Sequence, residues 1–113
     1  MSDQFSLKTE NHNGTLVLKT SGYINRDAGE KIAEHAYEQI DNGVNNIIVD
    51  FENTQIINSI GISILIEIIE KLEAIDGKMY FTEMSATIEK TLRIMGLFQY
   101  AEPAENTSEL LDD

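Results

Sequence analysis

Ile56-Ile57-Asn58-Ser59-Ile60-Gly61-Ile62 separates two hydrophobic periods, and its reading decides the fold. Before it runs Asn46-Ile47-Ile48-Val49-Asp50-Phe51, a short, apolar, β-branched block of the kind that forms a buried strand. After it runs Ile62-Ser63-Ile64-Leu65-Ile66-Glu67-Ile68-Ile69-Glu70-Lys71-Leu72. In that run Ser63, Glu67, Glu70 and Lys71 fall on one side of a helix of about three turns. A strand ending at Phe51, a loop over Glu52-Asn53-Thr54-Gln55 and a helix opening at Ser59 are therefore predicted. The Ser59 hydroxyl is then placed to cap the helix, accepting from one of the N–H groups that the first turn leaves unpaired. A phosphate on the same oxygen would face those N–H groups and the positive end of the helix dipole. Gly61 permits a close approach of neighbouring backbone.

Downstream, the helix is expected to end near Ala74, with Asp76-Gly77 as a turn and Lys78-Met79-Tyr80-Phe81-Thr82 as the next strand. A helix follows over Ala86–Met95, with Ile88, Leu92 and Met95 spaced to face the core and Gly96 as its stop. Leu97-Phe98-Gln99-Tyr100 reads as a short last strand stopped by Pro103, and Thr107–Leu111 as a terminal helix with a hydroxyl cap. Upstream, Phe5–Thr9 and Thr15–Thr20 read as a hairpin around Asn11-His12-Asn13-Gly14, at one edge of a sheet. Ser21–Asn25 leads into a helix opening over Arg26–Glu30, with Asp27 as its predicted cap. Ala28, Ile32, Ala33, Ala36, Tyr37 and Ile40 form its apolar face, and Asn42-Gly43 its stop. Residues 1–4 and 112–113 are expected to be loose ends. The order β-β-α-β-α-β-α-β-α predicts one α/β domain over 1–113. Its sheet would be mainly parallel, of about five strands with an antiparallel N-terminal hairpin, carrying about four helices.

A chain of 113 residues suffices for one domain with its own core. Hydrophobic content of 42% with 25% charged residues is ordinary for a globular protein. No apolar run approaches the roughly 20 residues of a membrane span. Met1-Ser2-Asp3-Gln4 has neither the basic nor the apolar region of a signal peptide. The absence of cysteine excludes disulfides, thiolate metal sites and cysteine nucleophiles. Together these predict a cytoplasmic protein with no direct membrane insertion. A net charge of −12 disfavours nucleic acid and anionic lipid as ligands and favours partners with basic patches, unless it serves solubility alone.

Enzyme signatures are lacking: the sequence has no P-loop, GxGxxG, HExxH or GxSxG. His35, with Glu34, Glu38 and Asp41 nearby, falls off its helix's apolar stripe and reads as part of a solvated face. Met79, Met84 and Met95 read as core fillers or a pliable contact surface. Ile60, Ile62, Ile64, Leu65, Ile66, Ile68 and Ile69 make the Ser59 helix more apolar than one buried face requires, so it either lies deep in the core or presents a patch.

Val49-Asp50-Phe51, a short loop and Ile57-Asn58-Ser59-Ile60-Gly61-Ile62 together resemble the signature of the STAS domain family, which includes bacterial anti-sigma factor antagonists. The resemblance covers about residues 5–111. The family pattern is a strand ending in Asp, a loop, then Asp-Ser-Ser-Gly-Leu/Ile opening a helix. Its first Ser, matched by Ser59, is phosphorylated by the partner anti-sigma factor kinase. Asn58 stands here for the family's Asp, Ile60 for its second Ser, and Asn25 for the Asp of a Gly-Glu-Leu/Ile-Asp run. The resemblance implies a regulator without catalysis or cofactor of its own, docking through Asn25, Asn58, Ser59, Ile60, Gly61 and Ile62. Its partner would be an anti-sigma factor serine kinase or another STAS-binding regulator. It leaves open a non-switching adaptor, as in a stressosome-like assembly or a transporter accessory subunit, and a small-molecule or nucleotide binder.

Overall fold

Asn13 and Gly14, both at positive φ (53° and 90°), reverse the chain between β1 (Ser6–His12) and β2 (Thr15–Ile24). These belong to a computed structural model that describes residues 4–111. Of the expected loose ends, residues 1–3 and 112–113 lie outside the described residues, and Gln4 precedes β1. The chain continues through α1 (Arg26–Asp41), β3 (Asn46–Ile57), α2 (Ser59–Glu73), β4 (Lys78–Thr82) and α3 (Ala86–Ile94). A 3₁₀ turn (Leu97–Gln99), β5 (Glu102–Pro103) and α4 (Thr107–Leu111) follow.

Among the described residues the five strands form one sheet in the order β1-β2-β3-β4-β5. β1 pairs antiparallel with β2, and every later pairing is parallel. The strands through Phe51 and from Lys78, expected as neighbouring or near-neighbouring parallel strands, are direct parallel neighbours, with α2 in the crossover between them. β3 differs from expectation in length. Glu52–Gln55 is strand and not loop, because β2 also runs on to Ile24 and pairs with it through Ser21↔Asn53, Gly22↔Thr54 and Ile24↔Ile57. The predicted last strand is also displaced. Leu97–Gln99 is a 3₁₀ turn, with Leu97 buried, and the strand is Glu102–Pro103. Pro103 is tolerated within it because β5 is a sheet edge, where a missing N–H breaks no ladder.

Side chains alternate across a strand, so each strand supplies two faces. Leu16, Leu18, Ile47, Val49, Phe51, Met79 and Phe81 share one core cluster with Ala28 and Ile32 of α1, Ile62, Leu65, Ile68, Ile69 and Leu72 of α2, and Ile88 and Leu92 of α3. Phe51 and Phe81 pack with ring centroids 5.5 Å apart. Opposite them in the alternation stand Asp50 and Thr82, both buried. The Thr107 hydroxyl of α4 donates to Asp50 Oδ2 at 2.8 Å, and the Glu52 N–H donates to Asp50 Oδ1 at 3.0 Å. A carboxylate inside a hydrophobic sheet is thus met by polar partners on both oxygens.

Candidate functional site

Ile24 and Ile57 are register partners at the ends of two parallel strands, so the residues that follow them emerge side by side. Asn25 begins α1 and Asn58 begins α2. Both keep extended backbone while the next residue turns helical, which is the conformation of an N-cap. Asn25 Oδ1 accepts from the Ala28 N–H at 3.0 Å, and Asn58 Oδ1 from the Gly61 N–H at 2.8 Å. The Asn58 N–H donates to the Ile24 carbonyl at 3.0 Å and ties the two starts together.

The caps expected at Ser59 and Asp27 therefore belong to Asn58 and Asn25. Ser59 and Asp27 already lie inside their helices, where a side chain no longer reaches back over the first turn. Ser59 is exposed at the first position of α2, and among the described residues its hydroxyl makes no hydrogen bond. Its carbonyl accepts from the Ser63 hydroxyl at 3.1 Å. Ile60 beside it is 39% exposed. Gly61 and Ile62 are buried and shape this edge from beneath. A Cβ on Gly61 would stand 2.8 Å from the Ile24 carbonyl oxygen, the close backbone approach the sequence suggested. Six expected site residues thus converge: Asn25 and Asn58 as half-buried caps, Ser59 and Ile60 at the surface, Gly61 and Ile62 under it. Both caps are amides, so neither places a negative charge at the paired helix ends.

A second feature adjoins this edge and was foreshadowed only by the excess of isoleucine in α2. An open groove of about 500 Å³ runs between α1 and α2, with Ala33, Tyr37, Ile60 and Ile64 among its lining residues. Lys71 Nζ lies 5.1 Å from the Tyr37 ring centroid. Partial burial, and after it the carboxylates of Glu67 and Glu70, push the Tyr37 hydroxyl above its ordinary pKa. Met95, expected to face the core, is 45% exposed, because α3 ends at Ile94 and the chain departs from helical backbone there. His35 is exposed as expected. Among the described residues no group of three His, Asp or Glu side chains could hold a metal ion, and no helix is long and apolar enough to cross a membrane.

The family model described as STAS domain matches residues 6–110. The chain is similar in structure to the anti-sigma factor antagonist SpoIIAA in its unphosphorylated form, with TM-score 0.83 and 25% identity over 95% of this chain and 94% of that one. It is also similar to the phosphorylated form of SpoIIAA, a Bacillus cell fate determinant, with TM-score 0.77 and 24% identity over 95% and 97% of the two chains. An anti-sigma factor antagonist from Mycobacterium paratuberculosis gives TM-score 0.84 and 18% identity over 98% and 94%. No curated protein matches the chain in sequence.

Proposed function

Because the chain belongs to the STAS domain family, we propose that it is an anti-sigma factor antagonist that docks on a kinase-type anti-sigma factor and is released by phosphorylation of Ser59. The observation that carries this reading is the exposed hydroxyl of Ser59 at the first position of α2, without a hydrogen bond among the described residues, directly after the amide cap Asn58. A kinase needs such a hydroxyl free and forward. The likeness to SpoIIAA, solved in forms named unphosphorylated and phosphorylated, supports the same reading. In it the chain is the substrate, ATP belongs to the partner, and the docking residues are Asn25, Asn58, Ser59 and Ile60, held by Gly61 and Ile62.

Charge explains how one modification separates fold from binding. A phosphoserine adds about −1.5 to −2 charges. The N–H groups of an exposed helix start favour an anion by about 0.3–1 kcal/mol, so the fold tolerates it. A partner that must cover the same phosphate without supplying cations strips its water at a cost. Phosphorylated Ser59 should therefore melt within a few degrees of the unmodified protein. Its affinity for the anti-sigma kinase should fall at least tenfold, about 1.4 kcal/mol. Differential scanning calorimetry of the two forms checks the first statement, and titration calorimetry of both against a purified kinase-type anti-sigma factor checks the second. Unchanged affinity would reject the switch and leave the non-switching adaptor, which the exposed apolar Ile60 beside Ser59 favours.

A further inference from the structure

We propose that the groove between α1 and α2 is a docking channel for a basic amphipathic helix of the partner. This extends the docking reading, on which it rests, from the helix starts to the faces behind them. Ile60 belongs to both surfaces, so a partner seated over Ser59 would have the groove directly in reach.

Three properties of the groove select that occupant. Its floor is apolar: Ala33 comes from α1, Ile60 and Ile64 from α2, and Ile60 is substantially exposed. Its banks are mainly acidic: Glu30 and Glu34 are one turn apart on α1 and Glu67 stands on α2, against one lining cation, Arg26 of α1, and Lys71, which lies over the Tyr37 ring. An apolar strip with carboxylates on both sides is complementary to a helix whose apolar stripe is flanked on both sides by Lys or Arg. The third property is the charge of the whole chain. At −12, a second copy would set acidic banks against acidic banks, and nucleic acid or anionic lipid would be repelled. Partial burial first, and Glu67 and Glu70 after it, push the Tyr37 hydroxyl above its ordinary pKa, and the second cause places carboxylates close to this channel.

The floor exists because the helices meet closely. Gly29 of α1 faces Ile64 of α2, and a Cβ there would stand 2.7 Å from Ile64 Cδ1. The closeness of that meeting brings α1 carboxylates and the α2 apolar residues to one channel.

The probe is a synthetic 18-residue helix of Leu and Lys with Leu at i, i+3, i+4 and i+7 spacing. A scrambled peptide of the same composition lacks the stripe. Fluorescence anisotropy with the full chain should show the striped peptide binding at least tenfold tighter than the scrambled one. Its amide shift changes should map to α1 and α2. Glu34→Lys with Glu67→Lys should weaken it at least tenfold, and so should Ile60→Asp. Glu105→Lys, an exposed charge change on the β5–α4 connection, should change it less than twofold. Equal binding of the scrambled peptide, or an equal loss with Glu105→Lys, would mean general attraction to an acidic surface and overturn the proposal. A dimer in sedimentation that Ile60→Asp dissociates would assign the groove to a second copy and overturn it as well. Glu34 and Glu67 are exposed, so the double variant keeps the test decisive should Ile60→Asp fail to fold. The peptide assay does not involve phosphate, so the groove can fail while the Ser59 switch stands, and the calorimetry above can fail while the groove stands.

Discussion

Side-chain amides at a helix start do the work of a cap without adding charge, and here two of them stand together. Asn58 holds the Gly61 N–H and Asn25 the Ala28 N–H. Asn58→Ala should therefore cost about 0.5–2 kcal/mol, the usual loss of a cap. Ser59→Ala should change stability by less than about 0.5 kcal/mol, as surface substitutions generally do. Urea denaturation of both variants checks the pair, and a larger loss at Ser59 would return the cap to it. The sequence leaves this point undecided because Asn and Ser are nearly equal caps. What decides it is the register of Ile24 with Ile57, which sets where extended backbone ends, and register is a property of pairing. The same reason moves the α1 cap from Asp27 to Asn25. The place of Ser59 at the start of α2 was legible, through its position between a β-branched block and a helical one, whereas its hydroxyl was expected to cap and is exposed instead.

Elements meet through two glycines with different tolerances. A methyl on Gly61 would press on the Ile24 carbonyl oxygen, which is already committed to the Asn58 N–H. It would also meet Ile24 Cγ2 at 3.0 Å and Ile57 Cγ2 at 3.1 Å, so Gly61→Ala should cost about 1–3 kcal/mol or more as an overpacked site. At Gly29 the obstacle is Ile64 Cδ1, the far end of a flexible side chain. Alanine gains up to about 1 kcal/mol of helix propensity there, so Gly29→Ala should stay within about 1 kcal/mol of the parent. Thermal or chemical denaturation ranks the two, and a Gly29→Ala loss equal to that of Gly61→Ala would show a rigid α1–α2 contact. Elements with a long local period were legible, namely the hairpin, α1, α2 and the strands at Ile47 and Met79. The rest of β3 was not, since Glu52, Asn53 and Gln55 are polar and become strand only through β2. The two residues of β5 are too short to carry any period.

The whole molecule is closed by a contact between residues 57 positions apart, Thr107 to Asp50. Thr107→Val would keep the volume and remove the donor, leaving a buried carboxylate oxygen short of a partner. It should cost about 1–3 kcal/mol. Hydrogen exchange should show the amides of α4 opening first, and exchange unchanged across α4 would mean that the helix is held by other contacts. No local reading of Val49-Asp50-Phe51 could have named Thr107, because only the folded sheet brings them together. The strand order has a further consequence, for the time course of synthesis. Each strand pairs with the one made just before it, from β1 through β5. A chain leaving the ribosome can therefore add each strand to a finished edge, without holding one in reserve for a later partner. The platform that carries Ser59 needs only β2, β3 and the starts of α1 and α2. It can be complete while Asp50 still awaits the hydroxyl of Thr107, so α4, made later, seals a sheet whose Ser59 edge is already in place.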